Sequence, residues 1–157
     1  MKALPATSSS DHPTSRAHPL LAGPVVVGFD GSPAAVRALD LLARALAPDS
    51  QLLVVTVDPQ ERSHGLLSEP LIESALNVNA LLAGARERVA DVAPALHVRT
   101  IARTGERGNA LVEIAREHHA RLIAVGGRGD DFEARVLLGS TAAYVAEHAH
   151  CDVLVVR

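Results

Sequence analysis

Five short apolar runs alternate along the chain with four stretches in which apolar residues recur every three or four positions. The runs comprise Pro24–Phe29, Gln51–Val57, Leu96–Ala102, Leu122–Val125 and Val153–Val156. Runs of this length that are rich in valine, leucine and isoleucine predict buried strands. The intervening period of about 3.6 residues is that of an amphipathic helix, so successive strands are predicted to be joined by helices.

This alternation predicts an α/β fold: a single doubly wound, three-layer sandwich around a five-stranded, mainly parallel sheet. Right-handed crossovers favour the strand order 3-2-1-4-5. In that order the first and fourth strands are neighbours whose following connections leave on opposite faces of the sheet. Open α/β sheets bind ligands beyond the carboxyl ends of the strands at such a switch point, so a binding site is expected there.

A glycine-rich segment begins where the fourth strand ends. It contains Gly126, Arg128 and Gly129 and, after nine further residues, Gly139, Ser140 and Thr141, where a helical pattern starts. Glycine lets backbone N–H groups approach an anion, and a helix N-terminus offers unpaired donors with a favourable dipole. We therefore predict a phosphate site in this segment.

Other nucleotide-binding motifs do not fit the segment. A P-loop requires a lysine before Ser140, where this chain has Gly139. A dinucleotide-binding turn requires a helix directly after Gly129, whereas the acidic pair Asp130-Asp131 follows. A flavin domain is disfavoured by an aromatic content of only 2%, because few rings are available to stack on an isoalloxazine.

The turn after the first strand is the second candidate element of the site. It consists of Asp30, Gly31 and Ser32, with Ser32 predicted as the N-cap of the first helix and Pro33 as its first residue. Asp30 has two interpretations, as a contact of a bound group or as a cap of the helix, and the residues alone leave both open.

Composition narrows the classes of protein. A length of 157 residues predicts one domain, placed at residues 23–157 after a flexible, Ser- and Pro-rich tail at residues 1–22. The net charge of −3 gives no electrostatic case for nucleic-acid binding, and no apolar run approaches the roughly 20 residues that span a membrane. The tail has no apolar signal core, so a cytoplasmic protein is expected.

The chain resembles the universal stress protein family at three places. They are the opening Val25-Val-Val-Gly-Phe-Asp-Gly-Ser32, the spacing of Gly126, Gly129 and Gly139-Ser140, and the ending His148-Ala-His-Cys-Asp-Val-Leu-Val-Val-Arg157. The resemblance extends from about Pro24 to Arg157. Its glycine spacing is that of the branch of the family that binds ATP.

The resemblance implies ATP as the ligand and assigns parts of the site. Asp30, with the adjoining Gly31 and Ser32, would lie by the ribose or by an Mg²⁺ ion that bridges the phosphates, and backbone groups of Val57 would face the adenine. The ribose and the phosphates would be held by Gly126, Gly129, Gly139, Ser140 and Thr141. The charges of Arg128 and Arg135 are expected to offset those of the acidic residues in the same segment.

We therefore predict a small stress-response protein that binds ATP and hydrolyses it slowly or not at all, because no catalytic base, P-loop lysine or arginine finger is evident. The alternative is a nucleotide-free dimeric regulator of the same fold. It would follow if Asp130, Asp131 and Glu133 repelled the phosphates, since like charges at close range are costly without a divalent ion.

The last apolar run is expected to form an edge strand, because only Arg157 follows it. Edges of apolar strands expose unpaired backbone groups and are usually paired or covered. The family resemblance implies pairing with a second copy. We predict a homodimer through residues 152–157.

Overall fold

A parallel sheet of five strands lies between two layers of helices. The fold is that of a computed structural model, which describes residues 23–59, 69–127 and 138–157. The elements in chain order are β1 (Val25–Gly28), α1 (Pro33–Ala45), β2 (Gln51–Asp58), α2 (Glu69–Val92), β3 (His97–Thr104), α3 (Arg107–Glu117), β4 (Leu122–Gly126), α4 (Ser140–His148) and β5 (Asp152–Val156). The predicted tail at residues 1–22 lies outside the described residues.

The strand order is β3-β2-β1-β4-β5, and each of the four neighbouring pairs is parallel. This confirms the predicted fold class and strand order. In the centre of the sheet, Val25 of β1 is opposite Leu52 of β2 on one side and Leu122 of β4 on the other. Among the described residues, no helix is long and apolar enough to cross a membrane.

The two faces of the sheet are covered by different helix pairs. Val25 and Val27 of β1 pack in the apolar cluster formed with α1 and α2, whereas Val26 packs in the cluster formed with α3 and α4. All three valines are fully buried. Because both faces of β1 are covered, its sequence is continuously apolar instead of alternating.

The turn between β1 and α1 has the predicted capping residues. Ser32 is the N-cap of α1, its Oγ accepts a hydrogen bond from the N–H of Ala35 at 3.3 Å, and Pro33 is the first helical residue. Gly31 has a φ of +80°, a left-handed conformation that glycine adopts without strain. The chain can therefore reverse direction within three residues of the strand end.

Two hydrogen bonds hold the end of β1 against β2. The N–H of Phe29 donates to the carbonyl of Val55 at 2.8 Å, and the Thr56 hydroxyl donates to the carbonyl of Phe29 at 2.7 Å. Thr56 is 4% exposed, so its hydroxyl bond lies away from solvent. These bonds fix the backbone that leads directly into Asp30.

Replacing Thr56 by valine should lower the free energy of unfolding by about 1–2 kcal/mol, because the carbonyl of Phe29 would lose a buried donor while the side-chain volume is kept. Urea denaturation measures this. Thr100→Val on β3 is the control, since Thr100 is half-buried and should change stability by less than about 0.5 kcal/mol. Equal effects of the two substitutions would contradict this role of Thr56.

Candidate functional site

A cavity of about 440 Å³ opens at the carboxyl ends of β1, β2 and β4. Its described wall is built from the β1–α1 turn, the end of β2, the start of α3, the end of β4 and residues 138–142. The volume is within the range of about 300–1,000 Å³ that is usual for small-molecule sites. The cavity therefore lies at the switch point between β1 and β4, where a ligand was expected.

Most of the residues predicted for the site lie in this wall. They are Asp30, Ser32, Val57, Gly126, Gly139, Ser140 and Thr141. Gly31 is not part of the wall; a Cβ added to it would lie 2.7 Å from Cδ2 of Leu81, so it faces α2. Arg128 and Gly129 lie outside the described residues.

One end of the cavity is formed by the start of α4. Gly139 is the N-cap of this helix, and among the residues that the structure describes no side-chain hydrogen bond caps it. By contrast, Ser32 caps α1 and Glu106 caps α3. Ser140 and Thr141, the first two residues of α4, line the cavity, so their backbone N–H groups and hydroxyls can donate to an anion.

Gly126 brings β4 and α1 into close contact. A Cβ at this position would lie 3.0 Å from Cβ of Ala34 and 3.1 Å from the backbone nitrogen of Ala35. Both distances are shorter than ordinary contacts. The first turn of α1 thus packs directly on the end of β4. This close packing is a second reason for glycine at position 126, and the sequence motif alone does not reveal it.

The two described ends of the glycine segment are joined to each other. The carbonyl of Gly127 accepts a hydrogen bond from the N–H of Gly139 at 2.8 Å. The N–H of Gly127 donates to the carbonyl of Val156 in β5 at 2.7 Å. The residues on either side of 128–138 are therefore anchored to the sheet.

Asp30 is the only carboxylate in the described wall of the cavity. Its Oδ1 accepts a hydrogen bond from the N–H of Ser32 at 3.0 Å, which leaves Oδ2 for a ligand. Asp30 therefore supports the turn before α1 but does not cap the helix, because the cap is Ser32; its position in the wall is compatible with a contact to a bound group. Within the described ranges, no cluster of three or more histidine, cysteine or acidic residues could hold a metal ion.

The other end of the cavity is apolar, and sequence reasoning assigned only Val57 to it. Phe29, Val55 and Leu111 also lie in the wall. Leu111 belongs to the predicted stripe of α3, but the periodicity of a helix does not show which of its apolar residues lies beside a cavity. Arg107, at the start of the same helix, was missed as well.

The chain is similar to known proteins over nearly all of its described length. The sequence model of the universal stress protein family matches residues 22–157. A universal stress protein of Mycobacterium tuberculosis is 33% identical over 139 residues, which cover 85% of this chain and 94% of that protein. Another, from Methanocaldococcus jannaschii, is 32% identical over 142 residues, covering 85% of this chain and 81% of the relative.

Solved structures give the same similarity. A universal stress protein in complex with cAMP is 31% identical, with a TM-score of 0.67, and the match covers 86% of this chain and 97% of that one. The universal stress protein UspA from Lactobacillus plantarum is 26% identical, with a TM-score of 0.62 and the same coverage of 86% and 97%.

Gly126→Ala should lower the free energy of unfolding by about 1–3 kcal/mol, because the added methyl group must push α1 away from β4. Thermal and urea denaturation measure the change. Gly84→Ala on α2 is the matched control: a Cβ there meets no atom within 4 Å, so the same substitution should stabilise the protein by about 0.4–1 kcal/mol. The packing role of Gly126 is contradicted if both variants shift stability in the same direction.

Proposed function

The chain belongs to the universal stress protein family, and we propose that it is a small regulatory protein that binds an adenine nucleotide, with ATP as the expected ligand. The observation that carries this proposal is the cavity at the β1–β4 switch point, one end of which is the start of α4, a helix start that no described side chain caps. Such a helix start favours an anion.

The chemistry of the cavity suits the two parts of a nucleotide. The apolar end, with Val55, Val57 and Leu111, can accept a base, while the end at Ser140 and Thr141 can accept phosphate oxygens. The relative solved with cAMP, 31% identical, binds a ligand that has both an adenine and a phosphate. In this proposal Arg128 and Gly129 complete the phosphate end.

Binding is a better proposal than rapid turnover. The described wall contains one carboxylate, Asp30, and no histidine, lysine or cysteine. An acid–base catalyst with a pKa near neutrality would have to come from elsewhere. We therefore expect slow or no hydrolysis, with Mg²⁺ held between Asp30 and the phosphates wherever the ion accompanies ATP.

Gly139→Ala should weaken ATP binding at least about tenfold, or about 1.4 kcal/mol, because the new methyl group would lie between the helix N-terminus and the phosphates. Gly139 has φ −60° and ψ 155°, which alanine adopts without strain, so the fold should persist. Calorimetry with ATP, with and without Mg²⁺, measures the loss, and Gly84→Ala serves as the control that should bind normally.

The most direct test of the whole proposal is mass spectrometry of nucleotide released from the purified wild-type protein, followed by titration with ATP and AMP. Detection of an adenine nucleotide, or saturable binding below millimolar concentration, supports the proposal. If neither is observed, the proposal fails, and the nucleotide-free regulator becomes the better account of this fold.

We further infer that the protein forms a homodimer through β5, residues 152–157. In the described sheet β5 is an edge strand, and four consecutive apolar residues, 153–156, are only half-buried. Val153 and Val155 pack towards one helix layer and Leu154 and Val156 towards the other. A second copy beside this edge would satisfy the outer backbone groups and cover these side chains.

Leu154→Lys should convert the dimer to a monomer, since a charge would be placed where the two copies meet. Light scattering at tens of micromolar measures the mass. Val98→Lys is the control, because Val98 is a half-buried apolar residue on the opposite edge strand, β3, and the same substitution there should leave the dimer intact. A wild-type monomer, or loss of the dimer in both variants, would refute pairing through β5.

A further inference from the structure

Arg107 is the only cationic side chain in the described wall of the cavity. It is the first residue of α3 and is exposed to solvent. The only acidic side chain in the described wall is that of Asp30, in the β1–α1 turn. The cavity thus has a positive group contributed by α3, in addition to the helix start of α4.

The local structure of α3 gives no reason for a cation at this position. Positive side chains are unfavourable in the first turn of a helix, where the dipole favours negative charge. The carboxylate of Glu106 is directed at the helix, because it accepts the N–H groups of Gly108 at 3.1 Å and Asn109 at 2.7 Å. The two salt bridges among the described residues join Arg88 to Asp40 and Arg103 to Glu117, and neither includes Arg107.

The packing of α3 on α4 brings the start of α3 close to the helix whose first residues line the polar end of the cavity. A Cβ at Gly108 would lie 2.7 Å from Cβ of Tyr144, so the two helices are in direct contact immediately after Arg107. Tyr144 is about one turn beyond Ser140 on α4. The start of α3 therefore lies beside α4 within about one turn of Ser140, and Arg107, Ser140 and Thr141 all line the same cavity.

We propose that Arg107 binds a phosphate group of the nucleotide from the α3 side and makes the site selective for phosphorylated ligands over the nucleoside. This inference rests on the proposed nucleotide-binding function. The guanidinium group can donate two parallel hydrogen bonds to a phosphate. Its charge would also offset the repulsion between the phosphate and Asp30, which a helix dipole of about half a charge offsets only in part.

The test compares AMP with adenosine, because the two ligands differ only in the phosphate. Calorimetry on Arg107→Gln should show about a tenfold or greater loss of affinity for AMP, the usual effect of one charge-assisted hydrogen bond, and an unchanged affinity for adenosine. Arg107→Lys should lose less, since it keeps the charge but not the paired hydrogen bonds.

Arg116→Gln is the matched control. Arg116 is exposed on the same helix, nine residues and therefore about 14 Å further along its axis, so removing its charge should leave AMP binding unchanged. Thermal denaturation should show all three variants folded, because each altered side chain is exposed.

The possible outcomes separate this inference from the function on which it rests. If the wild-type protein binds neither ATP nor AMP, both fail. If the wild type binds AMP and Arg107→Gln binds it equally well, only the assignment of Arg107 fails. If Arg107→Gln loses AMP and adenosine equally, Arg107 contacts the base or the ribose, and the assignment to phosphate is wrong.

Discussion

The structure depends on one constraint: parallel strands must be joined by right-handed crossovers, so the chain must change direction to cover both faces of the sheet. Here the change occurs between β1 and β4, which are adjacent in the sheet although five elements, α1 to α3, separate them along the chain. The connections after β1 and β4 leave on opposite faces. A crevice opens between them, and Gly126, at the end of β4, lies in its described wall.

At Gly126 the requirements of packing and of binding coincide. Ala34 and Ala35 of α1 approach so closely that a Cβ would displace them, and the same residue lies in the cavity wall. In the nucleotide-binding motif, glycine at this position gives a phosphate access to the backbone. The contact between α1 and β4 requires glycine here as well. Two hydrogen bonds act in the same region: the N–H of Phe29 donates to the carbonyl of Val55, and the Thr56 hydroxyl donates to the carbonyl of Phe29. They hold the end of β1, which is another part of the cavity wall, against β2.

The sequence predicted the sheet order and the cap at Ser32 because both depend on local signals: apolar runs, helical periodicity and the residues at a helix start. It did not predict the roles of Gly31, Arg107 or Leu111, because these depend on which distant element packs nearby. Gly31 faces Leu81 on α2 instead of the cavity. Leu111 is 2% exposed and yet borders the cavity. Helical periodicity predicts only that such a residue is buried, and it does not distinguish a core residue from one that lines a cavity.

The last strand, β5, links the proposed dimer edge to the proposed phosphate-binding segment, although the two are separate motifs in the sequence. The carbonyl of Val156 accepts a hydrogen bond from the N–H of Gly127, and the carbonyl of Gly127 accepts one from the N–H of Gly139. In addition, Nε of Arg37 on α1 donates to the carbonyl of Arg157 at 3.0 Å. The strand proposed to pair with a second copy therefore also anchors the segment proposed to bind phosphate. A shift of β5 on association would be transmitted to Gly127 through backbone hydrogen bonds, without the intervention of flexible side chains. Because coupling between two binding equilibria is reciprocal, any effect of a nucleotide on association must equal the effect of association on nucleotide affinity.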